Sequence, residues 1–195
     1  MSTPTPAAST ASASARRRRA PFLALAAVHA LHLALLLYFA PPHVMLAREP
    51  LYDIDYPLHY HQVDRARRAF ADSGRLWGYD PTVLAGHPAG ALEDISSKTI
   101  ELFVIGLDRL GVHPATAFNL YVLLIHLLLP LVGYAAARLL SLGRWQAVTA
   151  AGLWVLLWYL DSFMHWLWFC GMISWAGASY LTVLLVALLY RALQG

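Results

Sequence analysis

The feature that most restricts this chain is a stretch of twenty uncharged, mostly apolar residues, 21–40, that follows four arginines, Arg16, Arg17, Arg18 and Arg19. As a helix rising about 1.5 Å per residue it would be about 30 Å long, the thickness of a bilayer's hydrocarbon core. Arginines beside a first span are held on the cytoplasmic side, so the N-terminus is expected in the cytoplasm and the following segment outside. A cleaved signal peptide competes with this reading, with Met45-Leu46-Ala47 as a weak cleavage site. Its apolar core is usually only about 7–15 residues, shorter than the run here. His29 and His32 lie inside the span three residues apart and read as neutral, helix-packed side chains.

Composition agrees with a membrane location. The chain is 59% hydrophobic and 13% charged, with a mean hydropathy of +0.53, which does not describe a soluble core. All acidic residues except Asp161 fall between Glu49 and Asp108, whereas Arg138, Arg144 and Arg191 stand in segments with no acid nearby. The basic balance therefore reflects topology, and no nucleic-acid partner is implied. A single cysteine, Cys170, excludes an intrachain disulfide and a cysteine metal cluster.

The expected fold is an all-α integral membrane protein with about four transmembrane helices and a large helical first outer loop. Residues 1–20 read as a disordered basic cytoplasmic tail and 21–41 as the first transmembrane helix. Residues 42–115 form an extracytoplasmic loop, and 116–191 a three-helix transmembrane region. Within that region the runs 115–137, 145–160 and 171–190 place every arginine on one side. The loop has its own helical pattern: Asp55 is a candidate N-cap, Pro57 sits in the first turn, and His59, Val63, Ala66 and Phe70 recur on one face. Arg65, Arg68, Asp72 and His61 take the other face, as on a helix lying at a membrane surface. Ser73-Gly74 ends that helix, and turns are expected at 77–81 and 86–90. Residues 99–110 suggest a second interfacial helix. Phe163, His165, Trp166, Trp168 and Phe169 suggest an aromatic belt, where Asp161 and His165 approach the loop.

Chemistry concentrates in residues 52–61, where Asp53, Asp55, His59 and His61 fall within ten residues. Two carboxylates beside a membrane are costly unless they are solvated, paired, or hold a cation or substrate. A divalent cation, Mg or Mn, is the cofactor that Asp53 and Asp55 suggest, because hard metals take several oxygen ligands. His59, His61, Arg65 and Arg68 are candidate substrate-binding residues, the arginines suited to a phosphate. A second reading is a metal-binding hydrolase using Asp53, Asp55, His59 and His61. On one helix the two histidines point about 200° apart, so that site needs unwound backbone. A third is a non-catalytic scaffold or transporter fragment.

A cytoplasmic N-terminus, one span, and then a large outer loop that opens on an Asp-x-Asp motif resembles the start of the GT-C class of membrane glycosyltransferases, the class of the protein mannosyltransferases and oligosaccharyltransferases. The stretch Gly74-Arg75-Leu76-Trp77-Gly78-Tyr79-Asp80-Pro81, followed by Leu84-Ala85-Gly86-His87-Pro88, is similar to a segment of large bacterial membrane proteins of that class. The resemblance covers roughly residues 16–190 and lies in order and topology more than in any one motif. It implies sugar transfer from a polyprenyl-phosphate donor at the outer face of the inner (plasma) membrane. Asp53 would be the catalytic base or acceptor-orienting acid, and Asp55 the second acid. Family members carry more spans, so this chain reads as an N-terminal fragment of a longer protein or as a reduced one.

Overall fold

The computed structural model describes residues 7–81, 86–89, 97–161 and 167–194, the first twelve of these by backbone alone. Helix dominates: α1 (Ala7–Phe39), α2 (Pro42–Met45), α3 (Tyr56–Ser73), α4 (Lys98–Arg109), α5 (Pro114–Leu127), α6 (Leu129–Leu139), α7 (Arg144–Leu160) and α8 (Ile173–Gln194). Two short strands, β1 (Gly78–Asp80) and β2 (His87–Ala89), and one helical turn over 167–170 complete the described elements.

Among the described residues three stretches are long and apolar enough to cross a membrane: Arg19–Phe39, Pro114–Leu139 and Ile173–Gln194, of 21, 26 and 22 residues. Leu23 and Leu31 on α1, and Leu181, Leu185 and Leu189 on α8, are each more than half exposed. Such a surface is unfavourable in water and suits contact with lipid. The 17-residue α7 packs against α1 and α6, and α6 against α8.

The helix α1 begins at Ala7, so residues 7–20, expected as a disordered tail, continue the first apolar helix backwards through the arginines. The run expected as one helix over 115–137 breaks at Leu128 into α5 and α6. Pro130 explains the break, because it has no N–H to give the carbonyl of His126 four residues earlier. That carbonyl is served from another helix instead: Nε2 of His32, buried on α1, donates to it at 2.8 Å. The His32 ring therefore carries its proton on Nε2, leaving Nδ1 as an acceptor 3.5 Å from the Tyr159 hydroxyl. The His126 ring lies 3.1 Å from the Tyr180 hydroxyl through Nδ1. A polar network thus replaces the helical bond that proline removes.

Within the stretches 77–81 and 86–90, read as turns, residues 78–80 and 87–89 instead pair as two short antiparallel strands with Gly78 opposite Ala89 and Asp80 opposite His87. Strands of three residues carry too little alternation to announce themselves in sequence, and Pro88 fits only because a two-stranded sheet has free edges.

The expected amphipathic helix is present as α3, which buries Tyr56, His59, Gln62, Val63 and Ala66. Gly74 ends it in the left-handed conformation, φ 71°, with its N–H on the Phe70 carbonyl. Val63 of α3 and Val104 of α4 share one core with Phe118 and Val122 of α5 and Leu36 of α1. The loop helices are thereby docked on the bundle. The arginines that flank the long apolar helices gather at one end: the Arg144 guanidinium lies over the Phe22 ring, and Arg191 reaches Ser141. Asp55 and Cys170 meet at the opposite end.

Candidate functional site

The segment between α2 and α3 is fixed from two sides. Asn119, fully buried on α5, accepts the Leu51 N–H at 2.9 Å and donates to the carbonyls of Val44 and Glu49 at 3.2 and 2.9 Å. The Thr116 hydroxyl adds a 2.7 Å bond to the Ala47 carbonyl. On the other side, the Asp55 N–H donates to the Cys170 carbonyl at 2.9 Å, and the Tyr56 hydroxyl to the Trp168 carbonyl at 2.6 Å. Burial, then the carboxylate of Asp53 and the thiol of Cys170, push the Tyr56 phenol up, so it stays a donor.

Between these anchors the chain turns sharply. The Tyr56 N–H bonds to the Asp53 carbonyl at 2.9 Å, and Ile54 is held at φ 34°. A β-branched residue at positive φ is strained, and such strain persists where surrounding contacts dictate it, commonly at functional sites. The turn presents Asp53 and Ile54 as exposed residues, with Ile54 67% accessible. Asp55 is half-buried and stands at the N-cap position of α3, but its side chain does not cap the helix, contrary to expectation. Its Oδ2 instead lies 3.6 Å from the Cys170 thiol, whose pKa is raised by burial and then by that carboxylate.

The candidate residues divide into two groups. Asp53 and Asp55 lie on the turn, with buried His59 one helical turn along, its N–H on the Asp55 carbonyl at 3.0 Å. Burial holds the His59 imidazole below its ordinary range, against the opposing pull of Asp55. The other group faces the hairpin. His61 Nε2 lies 3.5 Å from Oδ2 of Asp80, and Arg65 lies 3.5 Å from the ring of His87. Arg65 and Arg68 line a cavity of about 200 Å³ with Asp72, Trp77, Tyr79 and Asp80. Nine residues of helix separate Tyr56 from Arg65, about 14 Å along the axis, so the arginines do not adjoin the aspartate turn.

Arg68 pairs with Asp64 at 3.3 Å, as the spacing suggests, whereas no ion pair to Asp72 forms among the described residues. Asp64 also binds Arg67 at 2.8 Å, and Arg67 reaches Asp108 on α4 at 3.4 Å.

The four-ligand metal reading is not assembled, because His61 turns to Asp80, away from the aspartate turn. Among the described residues no group of three or more His, Cys, Asp or Glu could hold a metal. Asp53 and Asp55 stand on the turn on either side of Ile54. Of the expected aromatic belt, Trp168 is buried and Phe169 half exposed; Phe163, His165 and Trp166 lie outside the described residues, as does the approach of His165 to the loop.

Sequence reasoning passed over Asn119, Gly171 and Asp80. Asn119 carried a signal, as an amide near the mouth of an apolar span that must find partners. Asp80, only 4% exposed, had none, since its partner His61 is distant in sequence. Gly171, φ 79°, lies so close to Tyr56 that an added Cβ would stand 2.8 Å from the Tyr56 nitrogen.

Comparisons with protein-family models, curated proteins and solved structures yield no match for this chain.

Proposed function

We propose that the chain is a membrane glycosyltransferase of the GT-C type, or the N-terminal part of one, which takes a sugar from a polyprenyl-phosphate donor at the outer face of the inner membrane. In this reading α1, the α5–α6 pair, α7 and α8 are four spans, and the N-terminus is cytoplasmic. The observation that carries it is the anchored turn of Asp53, Ile54 and Asp55: an exposed carboxylate on strained backbone, at the end of the bundle away from Arg138, Arg144 and Arg191. A surface loop with no task would relax Ile54 into an ordinary conformation.

Asp53 takes the proton of an acceptor hydroxyl as its oxygen attacks the anomeric carbon. The bond from that carbon to the phosphate oxygen breaks, and polyprenyl phosphate departs with the electron pair. Asp55, steadied by the Cys170 thiol and main chain, orients the acceptor. A divalent cation, Mg or Mn, bound by Asp53 and Asp55 would offset charge on the phosphate. Arg65 and Arg68, well along α3, serve a more distant anionic part of donor or acceptor.

The test is transfer from a radiolabelled polyprenyl-phosphate sugar by the chain reconstituted in liposomes. Asp53→Asn is expected to lower the rate by about 10²–10⁴-fold, the range for loss of a general base, with an unchanged Tm. Equal rates for the variant and the unaltered chain would return the loop to the scaffold reading.

A further inference from the structure

At the arginine end, α6 and α8 border an open pocket of about 670 Å³ lined by Ala135, Arg138, Leu139, Ser141 and Arg191, its two arginines and serine exposed. Two guanidiniums far apart in sequence meet there, and neither has a carboxylate partner among the described residues. No Asp or Glu occurs between Arg109 and Leu160, or after Asp161. Arg138 donates to the Leu142 carbonyl at 2.6 Å, and Arg191 Nη1 donates to the Ser141 hydroxyl at 3.4 Å. Each guanidinium has five N–H donors, so these bonds leave most of the fork for another acceptor.

Ser141 supplies an independent indication. It adopts φ 65° at the close of α6, with the Ser141 N–H on Arg138 and the Leu142 N–H on the Ala137 carbonyl. Helix ends of this form usually carry glycine, because a side chain there is strained. Serine in that place retains a hydroxyl that accepts from Arg191 and so has its own proton to give. Beyond the rim, Leu188, one turn before Arg191 on the same side of α8, is 47% exposed, with half-buried Leu184 in line behind it, an apolar track leading from the pocket. The ligand is thereby described: phosphate oxygens for two arginines and a serine, joined to chains that lie along leucines.

We infer that this pocket binds the headgroup phosphate of an anionic phospholipid from the leaflet at the arginine end, with its acyl chains along α8. Basic pockets between helices at such a face suit anionic headgroups. The inference needs only that the bundle sits in a bilayer, and it is independent of the proposed transferase activity.

The full chain in neutral detergent is heated with phosphatidylglycerol, with phosphatidylcholine, or with glycerol 3-phosphate. Phosphatidylglycerol at saturation is expected to raise Tm by roughly 5 °C; the other two should leave it unmoved. Arg138→Gln combined with Arg191→Gln should abolish the shift. Should that double variant fail to fold, Ser141→Gly serves: it relieves the strained φ, keeps or raises the lipid-free Tm, and reduces the phosphatidylglycerol shift. Equal shifts with phosphatidylcholine, or a full shift with glycerol 3-phosphate, would overturn the lipid assignment. So would a shift that survives in both variants.

Discussion

The two ends of the helix bundle are built on different terms. At the arginine end the connection is a tight turn, α6 passing to α7 through residues 140–143, with arginines reaching main-chain carbonyl, hydroxyl and aromatic ring. At the aspartate end a long loop is pinned by a buried amide, a buried phenol and a glycine, and it carries a strained isoleucine. Arginines beside a membrane need little support, because charge in a headgroup region is cheaply solvated. Holding an exposed carboxylate in one place requires a rigid surrounding. The difference assigns a carboxylate fixed from several sides to one end and cations at headgroup level to the other.

Substitutions should break this contrast in graded fashion. The largest effect is expected of Gly171→Ala, which combines a positive φ with a Cβ against the Tyr56 nitrogen. A loss of about 2–3 kcal/mol is predicted, read as a lower Tm in detergent. Asn119→Ala follows at about 2 kcal/mol, because it strands the Leu51 N–H and two carbonyls. It should also make the main-chain amides of residues 47–52 exchange faster with deuterium. Comparable losses from Leu142→Ala at the arginine end would erase the distinction.

The pH response sharpens it further. Burial lowers the pKa of His59, so the unfolded chain takes up a proton that the folded chain resists. Stability should therefore hold above pH of about 6.5 and fall as pH drops below it, by at most about 1.4 kcal/mol per pH unit from this group. His59→Gln should flatten that part of the Tm profile between pH 7.5 and 5. The smallest effect is predicted for Arg67→Gln, about 0.5 kcal/mol, since its partners Asp64 and Asp108 are partly exposed and screened. An equilibrium denaturation midpoint suffices to read it.

What the sequence conveyed follows from how far each interaction reaches. Apolar runs of spanning length and the face of α3 that buries His59, Val63 and Ala66 are local patterns; among the described residues three of the four expected runs reach spanning length, and the α3 face is present. Pro130 was the local sign of a break that the single-helix reading of 115–137 missed, and nothing local pointed to His32 as donor to the freed carbonyl. The hairpin at 78–80 and 87–89 escaped because its strands are too short for alternation. Grouping Arg65 and Arg68 with Asp53 treated nearness in sequence as nearness in space, and nine residues of intervening helix separate them. The anchoring of Asp55 by Cys170 joins residues 115 positions apart, which no spacing rule conveys.

The account rests on the aspartate turn and the arginine end lying on opposite sides of the membrane. In a Cys170→Ala background, Tyr52→Cys marks the first, a position 82% exposed, and Leu193→Cys the second, 88% exposed. In intact cells a membrane-impermeant maleimide should label the cysteine at 52 and reach that at 193 only after lysis. Labelling of both in intact cells, or of 193 alone, would contradict the account.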